Sequence, residues 1–227
     1  MPTHGPARLA GLLLVGMLPY WLNGFYNPLL KDRPAAFWTA EIITWIVMPV
    51  VVVALGLRAG LYTRSDIGLH TRVAGRRSDV LLLVAVVAAV PLLYTLDRWA
   101  VATAVGLWET NYGAAGFQVA EVLPPPGPTT GHLRLLAVMH FVLTAGFVEE
   151  IYYRGMMSRL FPDGWMGTML YVPVSSLVFA SVHWEGGVQT MFEALTFGLA
   201  AGAIFRGTRN LWPLIAAHAV IDYGWIV

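Results

Sequence analysis

Nine ionisable side chains sit inside long apolar stretches of this chain: Glu41, His140, Glu149, Glu150, Arg154, His183, Glu193, His218 and Asp222. Most fall in the last ninety residues, in three groups whose spacing could do chemistry. The first is Phe147-Val148-Glu149-Glu150-Ile151-Tyr152-Tyr153-Arg154-Gly155. On a regular helix Glu150 and Arg154 stand i,i+4, about 40° apart on one face, and can form an ion pair. Glu149 points about 100° from Glu150 and about 140° from Arg154. One carboxylate therefore has a built-in counter-charge. The other, desolvated and beside a like charge, is suited to act as a general base. The second group is Phe179-Ala180-Ser181-Val182-His183, with His183 one turn beyond Phe179 on the same face. The third is His218-Ala219-Val220-Ile221-Asp222, again i,i+4, so that Asp222 can accept from His218 and fix its tautomer. A carboxylate and two histidines that met would make an acid–base site.

The elements that must position these groups follow from composition. The chain has 227 residues, 57% hydrophobic and 12% charged, with a net charge of +1 and no cysteine. Soluble domains carry about 25% charged residues, so this chain belongs in a bilayer. Disorder is excluded by the hydrophobicity, and thiol chemistry by the absence of cysteine. Nucleic-acid binding is not expected without a net positive field.

A spanning helix needs about 20 apolar residues. The runs that qualify are Leu9–Leu30, Ala35–Leu57, Val80–Leu96, His132–Leu160, Trp165–Trp184, Val188–Arg206 and Leu211–Val227. The flank Pro19-Tyr20-Trp21-Leu22-Asn23 offers no small-residue cleavage site, so the first run is read as a retained span rather than a signal peptide. Pro124-Pro125-Pro126-Gly127-Pro128 forbids helix and marks a loop over Asn111–Gly131. The expected fold is all-α, a polytopic bundle of about seven spans, or eight if the stretch after Asp97 crosses by itself. It forms a single integral membrane domain over 1–227, with generic spans in 1–110 and a four-helix core in 132–227.

Arginines set the expected orientation. Arg58, Arg64, Arg72, Arg76 and Arg77 crowd the segment Arg58–Asp79, read as a solvated cytoplasmic loop, and this puts the N-terminus inside. Arg8, Arg154, Arg159, Arg206 and Arg209 then fall inside as well, and Lys31, Arg33, Arg98 and Arg134 outside. The basic ends of the motif helices point to water entry from the cytoplasm.

Along straight helices Glu149, His183 and His218 differ in depth by about 9 Å, which tilt, a kink at Pro173 and side-chain length must close. Glu-Glu-x-x-x-Arg, Phe-x-x-x-His and His-x-x-x-Asp, each on its own late helix, together with Phe197-Gly198, Gly202 and Leu211-Trp212-Pro213, resemble the CPBP family of intramembrane proteases (the CAAX prenyl endopeptidase-like, or Abi, family). The resemblance covers about Leu133–Tyr223. It implies a glutamate-type hydrolase of a prokaryotic plasma membrane, acting on a membrane-associated protein or peptide. In that likeness Glu149 is the water-activating base, His183 works with it, and His218 and Asp222 form the oxyanion site. Glu150, Arg154 and Phe179 support them. The prenyl endopeptidases carry Asn where this chain has Asp222, whereas the wider bacterial family accepts Asp. An ionised Asp cannot donate to an oxyanion, so here it orients His218 or acts in its protonated form.

No cofactor is expected, although Glu149, His183, His218 and Asp222 form an N₂O₂ set that zinc could use; the helical H-E-x-x-H pattern is absent. The rival reading is a non-catalytic membrane protein on the same bundle, such as a proton-coupled transporter or an immunity or scaffold factor. Glu41 and Glu193, without a role in the protease reading, would suit a proton relay. The internal repeats expected of a transporter are not seen. Ser181 lies on the wrong face to be a nucleophile for His183. Gly198 and Gly202 serve close packing, His140 is read as a packing residue, and His4, His70 and His132 receive no role.

Overall fold

The structure, a computed structural model, describes residues 5–30, 32–70, 77–112 and 131–226. The proline-rich stretch, Lys31, Arg72, Arg76, His4 and Val227 lie outside the described residues. Most of the described residues are helical. We number the helices α1 Gly5–Leu30, α2 Pro34–Arg58, α3 Arg77–Tyr112, α4 Gly131–Leu160, α5 Trp165–Val182, α6 Gly187–Thr208 and α7 Trp212–Ile226. Six are long and apolar enough to cross a membrane; α7, at 15 residues, is shorter. It lies packed between α3 and α4.

Two expectations change. The stretch after Asp97 does not cross by itself, because α3 runs unbroken for 36 residues. Asp97 and Arg98 are not loop charges either. Thr196 on α6 donates to Asp97 at 2.5 Å, and Arg98 reaches the buried Glu193 at 3.9 Å. The segment after Arg58 is no solvated loop as far as residue 70: Tyr62 and Ile67 are buried in the core. Leu211 N–H donates to Gly68 O (3.1 Å), Trp212 Nε1 donates to His70 O (3.0 Å), and His70 Nε2 lies 2.7 Å from Arg209 O. Within it, the Thr63 N–H donates to Asp66 at 2.8 Å and holds that carboxyl below its usual range.

The bundle therefore has two unlike ends. One gathers the basic segment 58–70, the turn between α5's start and Leu160, and the turn between α6 and α7. Asp163 is shared there by Arg206 and Arg209. The other holds the α1–α2 turn, Gly131 at the start of α4, and the tight passage from α5 to α6. Glycine brings helices together where the motif residues face each other. A Cβ on Gly146 would stand 3.2 Å from Ile215 O, so α4 and α7 meet backbone to backbone one turn before Glu149. A Cβ on Gly198 would stand 3.0 Å from Ser176 Cα, which closes α6 onto α5. Gly202, one turn on, faces α5 less tightly, its nearest atom being 3.6 Å away.

Candidate active site

Helix α4 departs from regular geometry where its charges begin. Residues Glu150–Met156 are π-helical, followed by a 3₁₀ turn over Met157–Leu160. Such widened turns occur mostly at functional sites, and they change the angles between successive side chains. The i,i+4 ion pair survives: Arg154 Nη1 lies 3.2 Å from Glu150 Oε1, with both side chains almost wholly buried. The guanidinium also stacks over Phe179, 4.3 Å from the ring centroid, and lies 5.1 Å from that of Phe197.

The separation of roles between the two glutamates is less complete than helix projection implies. His218 Nδ1 stands 2.9 Å from Glu150 Oε1, a buried hydrogen bond across 68 residues of sequence. Its other nitrogen, Nε2, is 3.6 Å from Glu149 Oε2 and 3.7 Å from Asp222 Oδ1. Asp222 shares the face of His218 as its spacing requires, but stands beyond hydrogen-bond length. Glu150 is the residue that fixes the ring's tautomer. A carboxylate only accepts, so Nδ1 carries the proton.

His183 is set by a different device. It caps the C-terminal end of α5, and its Nδ1 lies 2.8 Å from Phe179 O, one turn back. A carbonyl accepts only, so Nδ1–H donates there, which leaves Nε2 as the acceptor nitrogen whenever the ring is neutral. Its ring also packs against Phe179 at 4.7 Å. The two histidines are thus held differently: Nδ1 of His183 stands against a backbone carbonyl, and Nδ1 of His218 against a carboxylate.

These groups converge. A cavity of about 150 Å³ is lined by Glu149, His183, His218 and Asp222 from three helices, with Trp45, Phe141, Thr144 and Ala145 completing its wall. A second, of about 220 Å³, shares His183, His218 and Asp222 and includes Tyr94, Glu185 and Thr190. The difference in depth computed for straight helices does not keep the groups apart. Among the described residues, no three of His, Cys, Asp and Glu form a group with metal-holding geometry.

The first three helices, generic in sequence, help to build this site. Trp45 of α2, within a π-helical turn over Ile43–Val47, lines the smaller cavity. On α1, Trp21 Nε1 donates to Ser181 Oγ at 2.8 Å and Trp21 O accepts from Trp184 Nε1 at 3.0 Å, clamping the turn that carries His183. Gly24 makes room for that turn: a Cβ there would lie 2.8 Å from Trp184 Cζ2. Ser181 is thereby engaged, and also donates to Val178 O. The only sequence signal for this role was a glycine and aromatics on α1 without charge or motif.

Glu193, left without a role by the sequence, is held between helices. It accepts from Gln189 Nε2 at 2.9 Å and Tyr94 hydroxyl at 3.3 Å, besides the Arg98 contact. Glu41 is different. It is 2% exposed, and His140, whose ring packs on Trp38 and Phe141, brings its Nε2 to 3.6 Å from Glu41 Oε2.

With this geometry in hand, the comparisons with known proteins are specific to the same helices. Residues 131–224 match the family model described as type II CAAX prenyl endopeptidase Rce1-like. The match spans α4 to α7 and takes in all three motifs. No curated protein and no solved structure matches the chain.

Proposed function

Starting from the CAAX-protease-like character of residues 131–224, we propose that this integral membrane protein is an intramembrane endopeptidase. It hydrolyses a peptide bond of a membrane-associated protein or peptide, by water activated between Glu149 and His183. The observation that carries the reading is the single cavity lined by Glu149, His183, His218 and Asp222.

Chemistry follows from the tautomers. A water in that cavity donates to the Glu149 carboxylate and to the acceptor nitrogen of His183. As its oxygen bonds to the scissile carbonyl carbon, its proton passes to Glu149. The carbonyl oxygen becomes an oxyanion. His218, whose Nδ1–H is committed to Glu150, can donate from Nε2 only as imidazolium. Glu150 supplies the counter-charge for that form. Each such donor is worth about 2.7–4 kcal/mol in the transition state. Glu149 then returns the proton to the leaving nitrogen, the C–N bond breaks, and a carboxylic acid and an amine result. Asp222, beside Nε2, helps to hold the imidazolium. Glu150 and Arg154 are positioning residues, and Phe179 orients His183 through its carbonyl and ring. This reading uses no metal. It places the protein in a prokaryotic plasma membrane, with the arginine-rich end and the N-terminus cytoplasmic.

The test is Glu149→Gln in proteoliposomes with a cleavable membrane-associated peptide. Loss of general-base catalysis lowers the cleavage rate by about 10²–10⁴-fold. Cleavage at the wild-type rate, or proton-dependent substrate flux without cleavage, overturns the reading.

A further inference from the structure

Helix α6 carries none of the three motifs, yet one of its side chains stands against residues from all of them. Phe197 is 6% exposed and lines the cavity of about 220 Å³. Its ring centroid lies 4.8 Å from that of His218, tilted by 59°, and 5.8 Å from that of Phe179. The Arg154 guanidinium lies over the same ring, 5.1 Å from the centroid. The ring is held in place from two further sides. Gly198, the next residue, seats α6 against Ser176 of α5, and Tyr94 of α3 makes a T-shaped contact with Phe197 at 6.3 Å. The Tyr94 hydroxyl donates in turn to Glu193 at 3.3 Å.

Arg154 and His218 meet at one carboxylate oxygen. Glu150 Oε1 stands 3.2 Å from Arg154 Nη1 and 2.9 Å from His218 Nδ1. A guanidinium is always charged, and His218 becomes a second cation whenever its ring takes a proton. One negative charge then faces two positive ones. The other acids near His218, Glu149 at 3.6 Å and Asp222 at 3.7 Å, stand against Nε2, the nitrogen that the chemistry uses. His183 packs on Phe179 instead. Arg154 is 1% exposed, and neither of its Nη atoms has a hydrogen-bond partner. A buried cation without acceptors is costly. What covers this one is a pair of phenyl rings, Phe179 at 4.3 Å and Phe197 at 5.1 Å. The face of an aromatic ring is negative and attracts a cation within about 6 Å of its centroid. A leucine would fill the same space and leave the charge unanswered.

We propose that Phe197 is a positioning residue of the site: its ring holds the Arg154 guanidinium and the His218 imidazolium together at Glu150. Phe179 covers Arg154 from α5, but its ring is 6.1 Å from that of His218. Phe197 is the ring close to both cations. The role at His218 rests on the proposed function, in which that ring donates to the oxyanion as a cation. The role at Arg154 does not.

The charge distribution of the ring can be changed with little change in its bulk. Mono-, di- and trifluorinated phenylalanines are placed at position 197 of the full-length protein by codon suppression. Melting in detergent is followed at mildly acid pH, where an imidazole takes a proton. Each fluorine draws density from the face and adds apolar surface, so packing alone predicts a melting temperature that holds or rises. The expected result is the reverse, a stepwise fall reaching about 4–8 °C for the trifluorinated ring. The same series at Phe205, wholly buried on α6, should not fall. With His218→Gln the fall at position 197 should be about half as large, because one of the two cations is gone. In the cleavage assay the trifluorinated ring should lower kcat about 10-fold and leave KM unchanged, since the imidazolium acts on the oxyanion and not on bound substrate. A flat or rising series at position 197, or an equal fall at Phe205, overturns the proposal. A fall undiminished by His218→Gln assigns the ring to Arg154 alone and overturns its role at His218. Melting needs no catalysis, so a protein that melts as expected but cleaves no peptide refutes the proposed function and not the role of Phe197 at Arg154.

Discussion

Replacing Glu150 by Gln removes one charge from a site where two are buried together, and the cost can be worked from the contacts. At 3.2 Å, with an effective dielectric of about 20, the attraction between Glu150 and Arg154 is about 5 kcal/mol. The variant keeps an acceptor for His218 Nδ1 but leaves the guanidinium 1% exposed, facing chiefly the Phe179 ring at 4.3 Å. A cation–π contact contributes about 2 kcal/mol at most when desolvated, which does not offset the lost carboxylate. Breaking a buried pair from one side costs about 3–5 kcal/mol, whereas removing both charges together is often nearly neutral. Thermal unfolding in detergent is therefore expected to fall on the order of 10 °C for Glu150→Gln. The double variant Glu150→Gln/Arg154→Met should recover most of it. Equal melting of wild type and Glu150→Gln would refute the claim that the pair is a coupled unit. So would a double variant no more stable than the single one.

Gly24→Val should disturb catalysis from outside the motif helices: its Cβ meets Trp184 at 2.8 Å and Glu185 Cβ at 2.9 Å and pushes the turn that carries His183. A misplacement of about 1 Å costs on the order of 10²-fold in rate, read as a fall in kcat with folding retained. Gly146→Val should separate α4 from α7, because its Cβ starts 3.2 Å from Ile215 O and 3.5 Å from Ala219 N. Overpacking of this kind costs about 1–3 kcal/mol, so both melting temperature and activity should drop, and less for Gly146→Ala. Since the proposed chemistry uses no metal, cleavage should persist in strong chelator and elemental analysis should find no zinc. Loss of activity that zinc restores would instead favour Glu149, His183, His218 and Asp222 as a ligand set.

Spacing along the chain was a good guide wherever one helix supplies both partners. Glu150 and Arg154 pair as i,i+4 geometry requires, and His218 and Asp222 share a face for the same reason. It could not foresee the π-helical turn beginning at Glu150, which abandons the regular 100° step. The nearer carboxylate partner of His218 was not legible either, because it comes from another helix. The nearest acid in sequence stands at 3.7 Å, whereas Glu150, 68 residues away, stands at 2.9 Å. Arg98 read as an external loop charge, and only the packing of α3 on α6 brings it to Glu193.

By itself the sequence determined that the chain is a bundle of apolar helices, that thiol chemistry is impossible, and that carboxylates and histidines gather in the last four helices. These follow from composition and from the 3.6-residue period, which are local properties of the chain. Tertiary structure alone decided which carboxylate stands nearest His218 and that α1 clamps the turn that carries His183. Those depend on how nearly backbones approach, at Gly24, Gly146 and Gly198, and on the relative register of neighbouring helices. No spacing within a single helix encodes the register between two of them.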